Sequence, residues 1–553
     1  MARILLLSIV FFFLSPLHAQ FRQPPYHRLV KKTERRLERV DKRIESANRQ
    51  QYTVKSPLRK SAETIRVENL LSMPQTPDRY WQQEWLATMN PALGRPTPEL
   101  LFAEMLQQQS VSLDRRAMPG TTKTSWTSRG PNNLAGRTRA LAVDPTVTSG
   151  KKVWAGAVTG GLWYNNDITS SSSQWNFVSS LWSNLTVTCI AFDPNTPGTM
   201  YVGTGEGWGS TSSSSRGFGV FKSIDSGKTF TQLAATKSYF FINDIVVRSE
   251  SGKSVVYCAT DMQYVNGAWH GTTTGGLMKS TNGGISFTNV MPKIPGYTLS
   301  MIPADLEIGA DNRLWVGSRR NYAQSATDKG GGRVLYTDDG VNFTTVYSHA
   351  DKAGRVELAC APTSANTVYA VFESNGKVDT LLRTFNKGTT WSAMKKPKDA
   401  DAGIPATDPS RGQAWYDLIL AVSPKDSSDV LFGAIDVFLS ENSGGSFIQV
   451  GKWSDNSGLA NLSCSYVHAD QHNIVFVPGT NACLIGNDGG VYYCPDILDN
   501  LSYQSVIYER NNGYIVTQFY WGDISQTKSK NLMLAGAQDN GSHQLNTSGL
   551  VNK

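Results

Sequence analysis

The sequence lacks the features that would place it in several common protein classes. It has only 6 Cys among 553 residues, which is too few for a disulfide scaffold. After the N-terminal segment, no stretch approaches the roughly 20 apolar residues of a membrane span. The motifs H-E-x-x-H, G-x-S-x-G and paired C-x-x-C are absent, and the Gly-Lys-Thr and Gly-Lys-Ser tripeptides lack the upstream Gly of a phosphate loop. We therefore expect no membrane span and no cofactor, and whether the protein is an enzyme stays open.

The main part of the chain also lacks an excess of positive charge. The formal net charge is +8, and residues 1–120 account for all of it. A nucleic-acid-binding domain needs its basic excess on the docking surface. The balanced charge after residue 120 therefore excludes nucleic acid as a partner.

Residues 1–19 have the pattern of a secretory signal peptide. Arg3 supplies the positive charge, Ile4–Leu14 is apolar, and Leu17-His18-Ala19 offers a small residue for cleavage. We expect the mature chain to begin at Gln20 and the protein to be secreted or held at the cell surface.

Residues 20–120 are predicted to form a basic helical extension or pro-region. Val30, Leu37 and Ile44 recur every seven residues, which fits either a docking helix or a solvated helix with one apolar face. Thr-Pro-Asp at 76–78 and Thr-Pro-Glu at 97–99 are typical helix starts. Met89 falls on the predicted apolar face of the helix that begins at 76.

From Trp126 onward, short β-rich segments alternate with Gly, Asn, Asp and Ser, and an eight-residue box recurs about every 50 residues. Each unit predicts four antiparallel strands; in the second unit they are Val187–Asp193, Thr199–Thr204, Gly219–Ser223 and Thr229–Leu233. The copies of the box begin at Ser223, Ser280, Tyr336, Thr384 and Ser440, with degenerate copies near Tyr164–Trp175 and Cys494–Tyr503.

The predicted fold is therefore all-β, a propeller of at least seven four-stranded blades with an N-terminal α-helical extension. We assign seven units to residues 121–510 and the start of an eighth to residues 511–553. The strands predicted at Gln518–Ile524 and Leu532–Ala537 belong either to an incomplete unit of a truncated chain or to the closure of the ring with the Trp126 segment.

The box S-x-D-x-G-x-T-W resembles the Asp-box of the BNR repeat, which is shared by sialidases, sortilin-type receptors and xyloglucanase-type glycoside hydrolases. The chain is most similar to exported Bacteroidetes proteins that often carry a type IX secretion signal, which implies the secretion machinery as a partner. That closer likeness rests on Arg129-Gly-Pro131, Gly136–Arg139, Gly203–Gly207, Asp470-Gln-His472, Gly486–Gly490 and Gly536–Gly541.

The box is expected to be a structural device. Asp and Ser oxygens accept hydrogen bonds from turn N–H groups, and Gly takes the left-handed conformation. The residues assigned to this role are Asp225, Gly227, Asp338, Gly340, Gly388 and Gly444.

Charged residues follow the second strand of successive units, so we expect them to surround one mouth of the propeller. Two carboxylates about 5–9 Å apart could hydrolyse a glycosidic bond, although loop ends are often simply polar. The set comprises Glu206, Asp261, Arg319, Glu373, Asp436 and Asp488, of which the four that are catalytic candidates are Glu206, Asp261, Asp436 and Asp488.

Two further clusters are candidate ligand sites. His468, Asp470 and His472 would share one face of a strand, as a weak metal site, an acid–base group or a structural contact between blades. Arg137 and Arg139 resemble the carboxylate-binding arginine of sialidases, but the Ile-Pro of that motif is missing. Xyloglucanase-type enzymes carry an acid before a Gly-Gly pair in the first unit, and Thr159 stands there instead.

Aromatic residues and one cysteine pair complete the candidates. Trp208, Trp269, Tyr322 and Trp415 are predicted in loops, where they could contact sugars or protein partners. Cys483 and Cys494 are equidistant from an Asp-Gly turn and could form a disulfide or remain paired thiols. The sequence thus favours an exported platform that binds glycan or protein, with a glycoside hydrolase as the alternative.

Overall fold

The structure is a computed structural model. It describes residues 89–90, 95–96, 107, 128, 130–179, 182, 185–208, 215–265, 268–324, 327–349, 353–401, 404–405, 408–502, 506–525, 532–546 and 549–552. The predicted signal peptide and most of the predicted helical extension lie outside these residues. Met89, predicted on a helix face, is instead in a strand, because Met89–Asn90 pairs with Arg95–Pro96 in a short hairpin.

The described part of the chain is almost entirely β, and its sheets are four-stranded antiparallel meanders with strands in chain order. We number them from the N-terminus. Sheet 1 contains Thr138–Val143, Val153–Ala157, Leu162–Asn165 and Trp175–Phe177; sheet 2, Val187–Phe192, Met200–Thr204, Val220–Ser223 and Thr231–Gln232; sheet 3, Ile242–Glu250, Lys253–Val265, Ala268–Ser280 and Thr288–Asn289; sheet 4, Ile302–Ile308, Leu314–Arg319, Arg333–Thr337 and Thr344–Ser348.

The later sheets repeat this order. Sheet 5 contains Arg355–Cys360, Val368–Ser374, Lys377–Thr384 and Ser392–Ala393; sheet 6, Ile419–Val422, Val430–Gly433, Val437–Ser440 and Ile448–Gln449; sheet 7, Gln471–Phe476, Cys483–Asn487, Gly490–Cys494 and Tyr508–Glu509; sheet 8, Phe519–Ile524, Met533–Ala537, Ser542–Asn546 and Gly549–Asn552. A parallel pair, Gly451–Lys452 with Ser465–Tyr466, and the 3₁₀ turns Ala234–Thr236, Ser457–Asn461 and Ile497–Ser502 lie between them.

The first strands of sheets 1 to 7 contact one another in order, and the first strand of sheet 7 contacts that of sheet 1. The apolar core follows the same arrangement, because the larger clusters of buried side chains span neighbouring sheets. Leu141 and Val153 of sheet 1, for example, pack with Leu484 and Val491 of sheet 7. The contact between sheets 7 and 1 is made by their own first strands. Whether the later strands join the Trp126 segment stays a prediction, because Trp126 lies outside the described residues.

Sheet 8 also has more strands than the sequence predicted. The expected strands near 518–524 and 532–537 are present, and Ser542–Asn546 and Gly549–Asn552 add two more. The sequence analysis named only the first two of these strands, because the other two lack the box residues that mark the earlier hairpins.

The predicted boxes form the hairpins between third and fourth strands. In sheet 2 the Ser223 hydroxyl accepts the N–H of Gly227 at 2.9 Å, and the Asp225 carboxylate accepts the N–H of Thr229 at 2.9 Å. Gly227 has φ +80°, and a Cβ there would come within 2.1 Å of the Trp154 ring of sheet 1. The turn therefore requires glycine both for its backbone conformation and for contact with the neighbouring sheet.

The box of sheet 4 departs from the predicted assignment. Gly340 N–H donates to Thr337 at 2.8 Å, and Asp339 accepts the N–H groups of Val341 and Asn342 at 2.8 and 2.7 Å. Asp338 instead pairs with Arg313 at 2.7 Å. The residue with the hydroxyl and the glycine are one position closer in this turn than in sheet 2, because Thr337 pairs with Gly340 and Ser223 with Gly227. The carboxylate of the turn is therefore Asp339 and not Asp338.

Cys483 and Cys494 are register partners across adjacent strands of sheet 7, and both are fully buried. Both are free thiols, as are the other four cysteines, so no bridge joins them in this structure. Among the described residues, no helix has the length and apolar character needed to cross a membrane.

The hairpin hydrogen bonds predict a stability effect. Ser223→Ala should lower the free energy of unfolding by about 1–3 kcal/mol, because the buried Gly227 N–H loses its acceptor. Urea denaturation followed by tryptophan fluorescence measures it. Ser226→Ala is the matched control, since Ser226 lies in the same turn at φ +59° and takes no part in these bonds. Equal midpoints for the two variants would contradict the structural role of the box.

Candidate functional site

A β-bulge near the start of the first strand recurs from sheet to sheet. The register skips one residue between Thr138 and Ala140 in sheet 1 and between Gln471 and Asn473 in sheet 7. The skipped residues are Arg139 and His472, which therefore occupy equivalent positions in neighbouring sheets. Bulges redirect a side chain out of the regular alternation, and these two side chains meet, with 3.3 Å between Arg139 Nη1 and His472 Nδ1.

His472 and Arg137 both bind Asp488, which follows the second strand of sheet 7. His472 Nε2 lies 2.6 Å from Asp488 Oδ1, and Arg137 donates from Nε and Nη2 at 2.8 and 3.1 Å. The structure thus joins three groups of predicted site residues that the sequence analysis treated separately. Burial alone would raise the pKa of Asp488, but Arg137 and His472 outweigh it and lower that pKa well below its usual range.

The hydrogen bonds also assign the protonation of His472. The Arg139 guanidinium can only donate, so His472 Nδ1 accepts, and the ring proton lies on Nε2 and is donated to Asp488. Burial lowers the pKa of His472 to about 4, so the ring is neutral at pH 7. Arg137, His472 and the ionised Asp488 form a buried, fully oriented unit.

Glu206 and Trp208, which follow the second strand of sheet 2, lie beside this unit. Glu206 is 3% exposed and accepts the Tyr416 hydroxyl at 2.7 Å, with Arg139 3.6 Å away. Trp208, predicted as an exposed loop ring, is only 5% exposed. The guanidiniums of Arg319 and Arg355 lie 4.4 and 4.2 Å from the centre of its ring. The Trp208 ring is therefore a packing element of the mouth and not a free surface for stacking.

The other predicted mouth residues are buried and bonded as well. Asp261 accepts Arg319 Nη1 at 2.7 Å, and Glu373 accepts the N–H of Gly376 at 2.7 Å. Asp436 accepts the Gln449 amide at 2.9 Å, and burial followed by the charge of Asp399 raises its pKa to about 8. Because loop ends are usually polar, the sequence suggested that these carboxylates would be exposed. They are buried instead, and their arginine and amide partners offset the energetic cost of that burial.

His468 and Asp470 do not share a strand face with His472, because both precede the strand and Asp470 has φ +69°. His468 Nε2 instead lies 3.1 Å from the carbonyl oxygen of Asp539. Burial and then the charge of Asp488 raise the pKa of Asp470 to about 7. Among the described side chains, no group of three or more His, Cys, Asp or Glu is placed to hold a metal ion.

Asp539 is a site residue that the sequence analysis missed. It follows the second strand of sheet 8, so it continues the series that includes Asp488. Its side chain is 42% exposed and lies 3.6 Å from Arg137 Nη2. Burial, the charge of Asp488 and a hydrogen bond to that carboxylate raise its pKa, so the two acids shift in opposite directions. The Gly-x-x-Asp pattern at 536–539 repeats one found earlier in the chain, and it could have identified Asp539 from the sequence.

Tyr416 and Asp417 were also missed, because the long loop before sheet 6 carries no motif. Asp417 is 1% exposed, and neither of its oxygens has a hydrogen-bond partner among the described residues. Burial and the charges of Asp470 and Asp488 raise its pKa well above the usual range, which keeps it protonated. Its oxygen lies 3.5 Å from His472 Nδ1.

Aromatic rings are exposed around this buried network. Tyr322 follows the second strand of sheet 4 and is 53% exposed, while Trp415 and Trp453 lie in the loops before sheets 6 and 7 and are 41% and 39% exposed. Trp269 is not in a loop, as predicted, but in the long third strand of sheet 3. Trp453 was not among the predicted site residues.

Comparisons with known proteins support the fold. The chain matches the structure of an ancestral GH74 enzyme at TM-score 0.51 and 14% identity, over 76% of this chain and 54% of that one. It thus spans about half the length of that enzyme. The GH74 xyloglucanase from Xanthomonas campestris matches at TM-score 0.38 and 14% identity, over 77% and 75% of the two chains.

A third solved structure, YCF48 bound to D1 peptide, matches at TM-score 0.40 and 12% identity, over 68% of this chain and 96% of that one. No protein-family profile and no curated protein sequence matches the chain. At these identities the likeness establishes a β-propeller fold and nothing about activity.

The raised pKa of Asp470 predicts a pH-dependent stability change. Its pKa is about 7 in the folded chain and about 3.9 when unfolded, so ionisation favours unfolding increasingly as the pH rises from 4 to 7. Asp470→Asn should therefore stabilise the protein at pH 8 relative to pH 4.5, by at most about 1.4 kcal/mol per pKa unit. Asn also tolerates the positive φ.

Thermal denaturation at both pH values checks this, with Asp455→Asn as the control, since Asp455 is 58% exposed. If the stability difference between Asp470→Asn and the unmodified chain were the same at both pH values, the pKa of Asp470 would not be raised in the folded protein.

Proposed function

We propose that this chain is an exported β-propeller that binds glycan or protein ligands on its mouth face. The mouth face is the face where second strands end and first strands begin. The supporting observation is that aromatic rings are exposed on this face while its candidate carboxylates are buried and bonded. Sugars and protein partners both bind to such half-exposed rings.

The finer features of the proposal rest on the chain's own residues. We infer that sheets 1 to 7 are the blades of one propeller, because their first strands contact one another in a cycle. We infer that the third-strand hairpins are Asp-boxes of BNR type, which the hydrogen bonds of Ser223 and Asp225 support. We infer export through a type IX secretion machinery from residues 1–19 and from the resemblance of the sequence motifs.

Trp415 and Trp453 are well suited to act as binding platforms because their neighbours hold them in place. The Trp415 ring packs on Tyr416 with 5.3 Å between centroids, and its carbonyl accepts Arg355 at 3.4 Å. The Arg411 guanidinium lies 5.7 Å from the Trp453 ring centre and is paired with Asp399 at 3.1 Å. Fixed rings lose little conformational entropy when a ligand binds.

Removing either of these rings should weaken binding. On an array of immobilised polysaccharides and mucin-type glycans, the full chain should bind at least one class, and Trp415→Ala and Trp453→Ala should each weaken that binding about tenfold or more. Phe385→Ala is the control, because Phe385 is 52% exposed in a box hairpin away from the mouth. Absence of glycan binding would favour a protein ligand, and equal loss in all three variants would overturn the placement of the site.

A glycoside hydrolase is the second candidate, and one observation favours it. Asp488 and Asp539 are hydrogen-bonded carboxyls whose pKa values shift in opposite directions, a common arrangement for an acid–base pair. The roles of Glu206, Asp261 and Asp436 in catalysis are less favoured, because their hydrogen-bond partners are Tyr416, Arg319 and Gln449 and not a second carboxyl.

If the protein is a hydrolase, Asp539→Asn should reduce the release of reducing ends from a bound polysaccharide by about 100-fold or more. Asp523→Asn, an exposed acid of the same sheet, should not. Lack of release by the unmodified chain, in a preparation that binds the same polysaccharide, would leave binding as the function.

A further inference from the structure

A cavity opens on the face opposite the mouth face. First strands end on that face, because the first and second strands of each sheet are antiparallel. The cavity has a volume of about 580 Å³ and is lined by the last residues of the first strands of sheets 4 to 7. It lies at the other end of the strands that carry Arg139 and His472, so it is separate from the site described above. We call it the funnel.

The wall of the funnel is largely aliphatic. Leu420 and Val422 of sheet 6 and Ile474 of sheet 7 line it and are at most 6% exposed over their whole surface, and Phe476 is half-buried. A wall of this kind favours methylene groups over water, at roughly 0.8 kcal/mol for each buried CH₂. Since the cavity is open to one side, a side chain or a short alkyl chain can enter it.

One acidic side chain, Glu307 of sheet 4, is part of the lining. Asp305 of sheet 4 and Glu357 of sheet 5 lie in first strands that also line the funnel, and Asp244 lies in the first strand of sheet 3. The charges of Asp244 and Glu357 act on Glu307, and Glu357 is paired with Arg355. Glu307 is therefore the acid of the lining, and further acids lie close enough to affect its pKa.

Two of these neighbouring acids are bound to backbone N–H groups and not to a cation. Asp244 accepts the N–H of Leu306 at 3.0 Å, and Asp305 accepts the N–H of Leu358 at 2.7 Å. A backbone N–H is a dipole and not a counter-charge. Burial and the charges of Asp244 and Glu357 accordingly raise the pKa of Glu307 to about 8, so at pH 7 it carries a proton that a cation could displace.

We propose that the funnel binds an amphipathic cation, such as a lysine side chain of a partner or a protonated alkylamine. The methylene chain lies against Leu420, Val422 and Ile474, and the ammonium group lies beside Glu307. Charge complementarity selects this occupant: an ammonium group can form an ion pair with Glu307 once the carboxyl loses its proton, and neither a neutral head group nor an anion can do so. The site is independent of the function proposed for the mouth face.

The test uses hexylamine, hexanol and hexanoate, which share an alkyl chain and differ in the charge of the head group. Isothermal titration of the full chain at pH 7 should give a dissociation constant of about 1 mM or tighter for hexylamine, about tenfold weaker binding for hexanol and none for hexanoate. Because Glu307 ionises as the ammonium group binds, hexylamine should release protons, which appear as a dependence of the heat on the buffer.

Glu307→Gln keeps an acceptor for the backbone and removes the charge. It should weaken hexylamine binding about tenfold, abolish the proton release and leave hexanol binding unchanged. Glu441→Gln, at an exposed hairpin position, is the control and should change nothing. Equal affinities for hexylamine and hexanol, hexylamine binding without proton release, or unaltered binding in Glu307→Gln would overturn the proposal. The comparison of the three probes on the unmodified chain does not depend on any variant folding.

Discussion

The inner edge of each first strand is the constraint on which the rest of this structure depends. A first strand has a neighbour in its own sheet on one side only, so its other backbone groups need partners elsewhere. Side chains of the preceding sheet supply them: Thr188 donates to the carbonyl of Ile242 at 2.7 Å, and Asn243 to that of Pro303 at 2.9 Å. At the last junction, Asn473 donates to the carbonyl of Arg139 at 3.3 Å. Polar side chains are therefore required at the centre of the ring, whatever the protein binds.

The same constraint explains why the site is built from charged residues that are hardly exposed. Bulges turn Arg139 and His472 inward, and burial requires each to have a partner. Asp488 satisfies His472 and Arg137 together, and the combined field of these two groups keeps the carboxylate ionised. Asp417 has no hydrogen-bonded cation among the described residues, and burial raises its pKa instead. The two aspartates thus show opposite responses to the same burial.

Much of the fold was predictable from the sequence, because the box recurs and each copy fixes a hairpin. The strands of sheet 2 differ from their predicted bounds by one or two residues. The site was less predictable. A series of charged residues after the second strands correctly pointed to one face, but Asp539 was left out because sheet 8 lacks a box. The prediction that His468, Asp470 and His472 share a strand face failed at Asp470, whose positive φ no local motif announces. Which charges are paired depends on neighbouring sheets, and sequence spacing does not encode that.

The two ends of the ring differ chemically, and this difference follows from strand direction. At the mouth, arginines lie beside several of the buried acids, as Arg319 does beside Asp261 and Arg137 beside Asp488. At the opposite end, first strands finish in apolar residues, and Asp244 and Asp305 bind backbone N–H groups that carry no net charge. An N–H dipole satisfies the geometry of a carboxylate but does not neutralise it. Glu307 can therefore still pair with a cation at the funnel, whereas Asp261 and Asp488 are already paired at the mouth, so a cationic group should bind to the first and an aromatic-stacking ligand to the second.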